Sequence, residues 1–243
     1  MADIVKNPVS SAIYLEKKDA ALLERLKKIH PVKDLFTGKT IWKDTLKGLV
    51  YRRLIGGIAW PAPDSYTPMT HLAVLAEERD EDFSTGHHTV HVIYEDMAPT
   101  IEEVLNIAVA KQSLLRCAEW VAPIHESEVI RIRQWEKDRM RHRLPRIRII
   151  PPPSVDFLTL HALVQARTVT CKTMFFGEDS IAASAYVSIP AEDYCRPLKR
   201  YPQLAAVLYP LGAIDMYTAA DIPPGIHIPA EGGYCWARGK GFP

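Results

Sequence analysis

The sequence predicts an irregular α/β or α+β fold. Strand-like runs such as "THLAVLA" (Thr70 to Ala76) and "HTVHVIY" (His88 to Tyr94) are rich in β-branched and aromatic residues. They are mixed with long helical patterns, and no regular βαβ rhythm orders them. The 243 residues are 47% hydrophobic, enough to bury one sizeable core, and suggest a single domain spanning 1–243.

The first element expected is a helix over Glu16 to His30, where Leu22, Leu23, Leu26 and Ile29 recur at helical spacing and Pro31 ends the pattern. The two strand candidates follow, separated by the acidic segment "EERDEDFSTG". Thr100 then reads as the N-cap of a helix with acids in its first turn and a stripe of Val104, Leu105, Ile107, Ala108, Leu114 and Leu115. Further on, "RIRII" and "FLTLHALVQAR" (Phe157 to Arg167) read as two strands joined by Pro151-Pro152-Pro153-Ser154. Leu158, Leu160, Ala162 and Val164 would form one face of the second strand, with Thr159, His161, Gln165 and Arg167 on the other. From about 222 to 243 the chain is rich in proline and glycine and reads as an extended, docked tail.

Charge excludes a global field. The formal net charge is +1, so any attraction to a polyanion must be local. It is local in one place: Arg131 to Arg148 carries eight basic residues against Glu136 and Asp138. That density suits a nucleic-acid arm or an anion-facing surface, with Trp135 as the one aromatic available for stacking. No apolar run is long enough to span a bilayer, and the first residues lack the pattern of a secretory leader. A cytoplasmic protein with no membrane partner is expected. Cys117, Cys171, Cys195 and Cys235 are widely spaced, which predicts free thiols.

Two motifs offer chemistry. "TGKT" (Thr37 to Thr40) ends like a phosphate-binding loop, but Lys33 stands where that pattern needs glycine, which leaves a turn that could touch a phosphate through Lys39. His87, His88 and His91 could be read as metal ligands, yet no further ligand is evident, so no metal is expected.

Four patches, read in order, resemble the thymidylate synthase and pyrimidine hydroxymethylase superfamily. They are "YLEKKDAALLERLKKIHPVKDLFTGKT", "QWEKDRMRHRLPR", "LVQARTVTCKTMFFGEDSIAASAYV" and "LGAIDMYTAAD". The segment from about Tyr51 to Asn106 matches poorly. The resemblance implies a thymidylate-synthase-like mixed sheet packed by helices, a homodimer, and a pyrimidine-nucleotide pocket. In it Arg167, at the end of a strand, and Thr168 would hold the phosphate, Asp179 the base, and Asp215 and Tyr217 the sugar, with Lys39 in the phosphate loop.

The nucleophilic cysteine of that family is replaced by Arg146, whose guanidinium cannot add to a pyrimidine. Leu35 and Asp215 replace the family's phosphate-loop arginine and sugar histidine, and its paired arginines have only Arg116, Arg131 and Arg133 as substitutes. If the reaction survived on another thiol, such as Cys117 or Cys171, methylene-tetrahydrofolate would be the cofactor; otherwise none is implied. The rival expectation is a non-catalytic subunit of a nucleoprotein assembly or phage particle that retains the fold and meets nucleic acid through Arg131 to Arg148.

Overall fold

A computed structural model describes residues 14–16, 26–79, 88–117, 119–124, 126–154, 156–177, 179–190, 193 and 198–218. The expected tail at 222–243, together with His87, Cys195 and Cys235, lies outside the described residues. The elements in order are β1 (Tyr14–Glu16), β2 (Ile29–Lys33), β3 (Thr40–Asp44), β4 (Leu49–Ala59), β5 (Thr70–Glu78), β6 (Val90–Ala98), α1 (Ile101–Leu115), β7 (Glu119–Val121), α2 (Glu126–Arg141), β8 (Ile149–Ile150), α3 (Phe157–Gln165), β9 (Met174–Gly177), α4 (Ile181–Ser188) and α5 (Pro202–Thr218). The class is α+β, built on one open mixed sheet with strands in the order β1-β9-β6-β5-β4-β3-β2.

An antiparallel meander, β4-β5-β6, is the centre of the sheet. One edge of β4 pairs first with β3, at Tyr51 and Trp42, and then with β7, at Ile55 to Gly57. Strands β7 and β8 add in parallel after the helical crossovers α1 and α2. Strand β5 is buried from Thr70 to Glu77, which explains its nearly continuous apolar run: both faces are covered. Leu72, Val74 and Ala76 join the core under α1 and α2, while Ala73 and Leu75 join the one under α3, α4 and α5. Two glycines in β4 permit this double coverage. A Cβ on Gly56 would sit 2.2 Å from the Trp120 ring, and one on Gly57 would sit 2.0 Å from the Ala206 carbonyl of α5.

Helix α1 follows its sequence signals. The Thr100 hydroxyl accepts from the Glu103 amide as an N-cap and donates to the Glu103 carboxylate at 2.8 Å. Val104, Leu105 and Ala108 are buried as the stripe requires, although Leu114 is 42% exposed.

Two sequence expectations are corrected. The expected helix is corrected at its ends: Glu16 lies in β1, and Ile29 and His30 begin β2, which runs through Pro31 to Lys33, while Leu26 is helical and residues 17–25 lie outside the described residues. Proline is tolerated because, among the described strands, β2 is at the edge of the sheet. The second correction is Phe157 to Arg167, which is not a strand. Asp156 caps helix α3 by accepting from the Thr159 amide at 2.7 Å, and Phe157, Leu160 and Val164 are buried at helical spacing. The supposed strand face splits: Leu160 and Val164 are inside, while Leu158 and Ala162 are outside. Arg167 therefore lies in a π-helical turn, Ala166–Thr170, and not at a strand end.

Candidate functional site

The π turn places Arg167 in the interior, where it is 1% exposed. Its Nε donates to Asp215 Oδ2 at 3.0 Å, Nη2 donates to Asp215 Oδ1, and Nη1 donates to the His88 carbonyl at 2.6 Å. Asp215 comes from α5, so the pair ties the last helix to the π turn and to the entry of β6. The neighbouring Thr168 hydroxyl donates to the Val164 carbonyl at 2.7 Å. Three of the residues expected to grip a nucleotide thus meet, but Arg167 and Asp215 satisfy each other. Tyr217 follows Asp215 on the same helix, and its side chain is not among those described.

The remaining expected residues lie elsewhere on the fold. Lys39 is exposed in the β2–β3 turn, where "TGKT" is a hairpin loop with Gly38 at φ 65°. Asp179 is exposed just ahead of α4, and Arg146 is exposed between α2 and β8. His91 is engaged with Glu78 at 3.0 Å and stacks on Phe175. Burial pushes the Cys117 thiol up to about 12, away from the reactive thiolate. Cys171 lies at the end of the π turn.

The carboxyl ends of parallel strands are where open sheets usually bind ligands. In the parallel set β4-β7-β8 those ends read Ala59-Trp60-Pro61 after β4, Val121-Ala122-Pro123 after β7 and Ile150-Pro151-Pro152 after β8. Trp60 Nε1 donates to the Pro123 carbonyl at 2.5 Å, and Ala59, Val121 and Ala122 are buried. None of these side chains is an acid, a base or a nucleophile.

A different surface is built for charge. Helix α2 buries Ile132 and Trp135 against α1. Trp135 Nε1 donates to Asn106 Oδ1 at 3.1 Å, Arg139 Nη1 donates to the same oxygen at 3.0 Å, and the Arg139 guanidinium lies 5.0 Å from the Trp135 ring centroid. Arg131 grips Glu102 with two donors, which lowers the carboxyl's pKa and raises the guanidinium's.

These contacts fix which side of α2 faces out. Arg133, Lys137 and Arg141 recur every four residues on its exposed side, about 6 Å apart along the axis. Of the three, Arg141 has a weak contact with Asp138 at 3.7 Å. Past the helix, Arg143 takes a left-handed backbone, φ 55°, and its amide bonds to the Met140 carbonyl, while the Leu144 amide reaches the Arg139 carbonyl. This is a Schellman closure, and it turns the chain so that Arg143, Arg146 and Arg148 all stay exposed. A cavity of about 450 Å³ opens beside Gln112, Glu136, Arg146 and Arg148.

Among the described residues Arg133, Lys137, Arg143 and Arg146 have no acidic partner. Trp135 is a packing anchor covered by Arg139 and is not available for stacking a base, so this surface can meet phosphates but has no aromatic platform. Its basic character was readable from the sequence. The burial of Trp135 and the pairing of Arg167 with Asp215 were not, because both depend on residues far away in the chain. No protein-family model matches this chain, and no curated protein matches it.

Proposed function

We propose that the chain is a non-catalytic module of a nucleoprotein assembly that holds the phosphate backbone of a nucleic acid through α2 and the segment up to Arg148. The observation that carries this reading is the set of four exposed cations without acidic partners among the described residues, Arg133, Lys137, Arg143 and Arg146, in a chain whose formal net charge is only +1. Guanidinium groups suit phosphate oxygens, and a row at helical spacing offers several such contacts at once. The apolar ends of β4, β7 and β8 support a role without chemistry.

The pyrimidine-nucleotide reading asks Arg167 to bind a phosphate. That guanidinium would first have to leave Asp215 and the His88 carbonyl inside the core. Calorimetry on the full chain separates the readings. Duplex DNA is expected to bind with an affinity that falls as salt rises, while dCMP and dUMP give no heat beyond dilution. Saturable binding of either mononucleotide, with none of duplex, would reinstate the nucleotide pocket.

A further inference from the structure

The β2–β3 hairpin ends in a tip where Leu35 and Phe36 are each 95% exposed. Single exposed apolar residues are ordinary, but two adjacent ones on a protruding, well-tied loop call for an explanation. The loop is closed by two backbone bonds, Asp34 N–H to the Lys39 carbonyl and Gly38 N–H to the Asp34 carbonyl, both at 2.9 Å. The Asp34 carboxylate accepts from the Phe36 amide at 3.1 Å, the Thr37 hydroxyl at 2.8 Å and Arg79 Nη1 at 3.1 Å. The apolar pair is thus held outward by a fixed backbone.

Among the described residues, the exposed charge around the tip has one sign. Lys33, Lys39 and Lys43 are exposed and without acidic partners among the described residues. Among the described residues, Asp34 is turned inward to Arg79, and Asp44, at the other end of β3, is taken up by the Tyr51 hydroxyl and the amides of Leu46 and Lys47. An apolar point bordered by cations is the chemistry with which proteins pry open stacked base pairs, the wedge entering the step while the cations hold the flanking phosphates.

The hairpin also adjoins the arginine surface. Trp42 Nε1 of β3 donates to the Leu115 carbonyl in the last turn of α1, and one turn earlier Gln112 Nε2 donates to the Arg146 carbonyl at 3.0 Å. Arg116 is exposed at the same helix end. Hairpin and arginine segment therefore flank one end of α1.

We propose that the β2–β3 tip inserts Leu35 and Phe36 between stacked bases of a duplex DNA whose backbone the arginines of α2 and its following segment hold. This rests on the reading of α2 given above, and the two can fail separately.

The test uses the full chain and a duplex carrying 2-aminopurine, whose fluorescence rises when it is unstacked, with binding followed in parallel by anisotropy. A severalfold rise that saturates with binding is expected. The Leu35→Ala/Phe36→Ala variant should lose that rise while keeping the salt dependence of binding. Both side chains are almost fully exposed, so the variant should melt like the wild type. Binding without a rise, or a rise that persists in the variant, would overturn the wedge and leave the α2 reading intact. No binding at all would overturn both. Tighter binding to the single strand than to the duplex, or tip-dependent association with phosphatidylserine vesicles and no 2-aminopurine response, would also overturn the wedge.

Discussion

Arg167 and the exposed arginines of α2 and the segment after it, Arg133, Arg143 and Arg146, differ in where their N–H donors go. Arg167 gives its donors to Asp215 and to a main-chain carbonyl inside the molecule, whereas Arg133, Arg143 and Arg146 present theirs to solvent. The first guanidinium joins α5 to the π turn. The others have no partner in the described fold, so they can be lost without cost to it. Conversely, a buried guanidinium with matched acceptors is part of the structure even where sequence likeness points to a ligand contact.

The comparison breaks most sharply at the buried pair. Arg167→Ala would leave Asp215 without its counter-charge and should destabilise the fold by about 3–5 kcal/mol in urea unfolding. Adding Asp215→Ala should cost less than the sum of the single changes. A neutral Arg167→Ala would mean that the pair is not structural and that Arg167 is free to serve a ligand.

A buried base without an acid behaves in a third way. His71 is 4% exposed, its Nε2 has no hydrogen-bond partner among the described residues, and burial lowers its pKa to about 4. The unfolded chain binds this proton below about pH 6.5, so the stability is complete above that pH and is lost as the pH falls toward 4. The loss should be about 3 kcal/mol. A His71→Phe variant should lack this component of the pH dependence, and an unchanged pH profile would contradict the assignment.

Smaller effects mark the surface. Arg131→Ala removes a half-exposed pair with Glu102 and should cost at most about 1 kcal/mol. The triple change Arg133→Ala/Lys137→Ala/Arg143→Ala should leave stability within about 0.5 kcal/mol of wild type per site. A large loss there would mean that these cations belong to the fold after all.

Much of the fold was legible where a signal was local and unopposed. Strand β5 showed its apolar run, and Thr100 with Glu103 marked the start of α1. Phe157 to Arg167 was misread because two periods coexist in it: its even-numbered positions alternate as in a strand, while Phe157, Leu160 and Val164 keep helical spacing. The cap at Asp156 decides between them, and it was missed. Only the ends of the Glu16 to His30 pattern were misplaced: Leu26 is helical, residues 17–25 lie outside the described residues, and at Ile29 the pairing with Asp44 of β3 prevails over helical propensity.

At the site, the density of arginine from Arg131 to Arg148 could be seen in the sequence because charge is a local property. The meeting of Arg167 with Asp215, and the full exposure of Leu35 and Phe36, arise from tertiary placement and left no local trace.

The most direct test of the account is the salt dependence of duplex DNA binding, measured by anisotropy for the wild type and for Arg133→Ala/Lys137→Ala/Arg143→Ala/Arg146→Ala. The four phosphate contacts of these cations contribute about −3.6 to the wild-type slope of log K against log salt, and the slope should fall by about one unit for each cation removed. A wild-type affinity that does not vary with salt, or a quadruple variant that binds like the wild type, would contradict it.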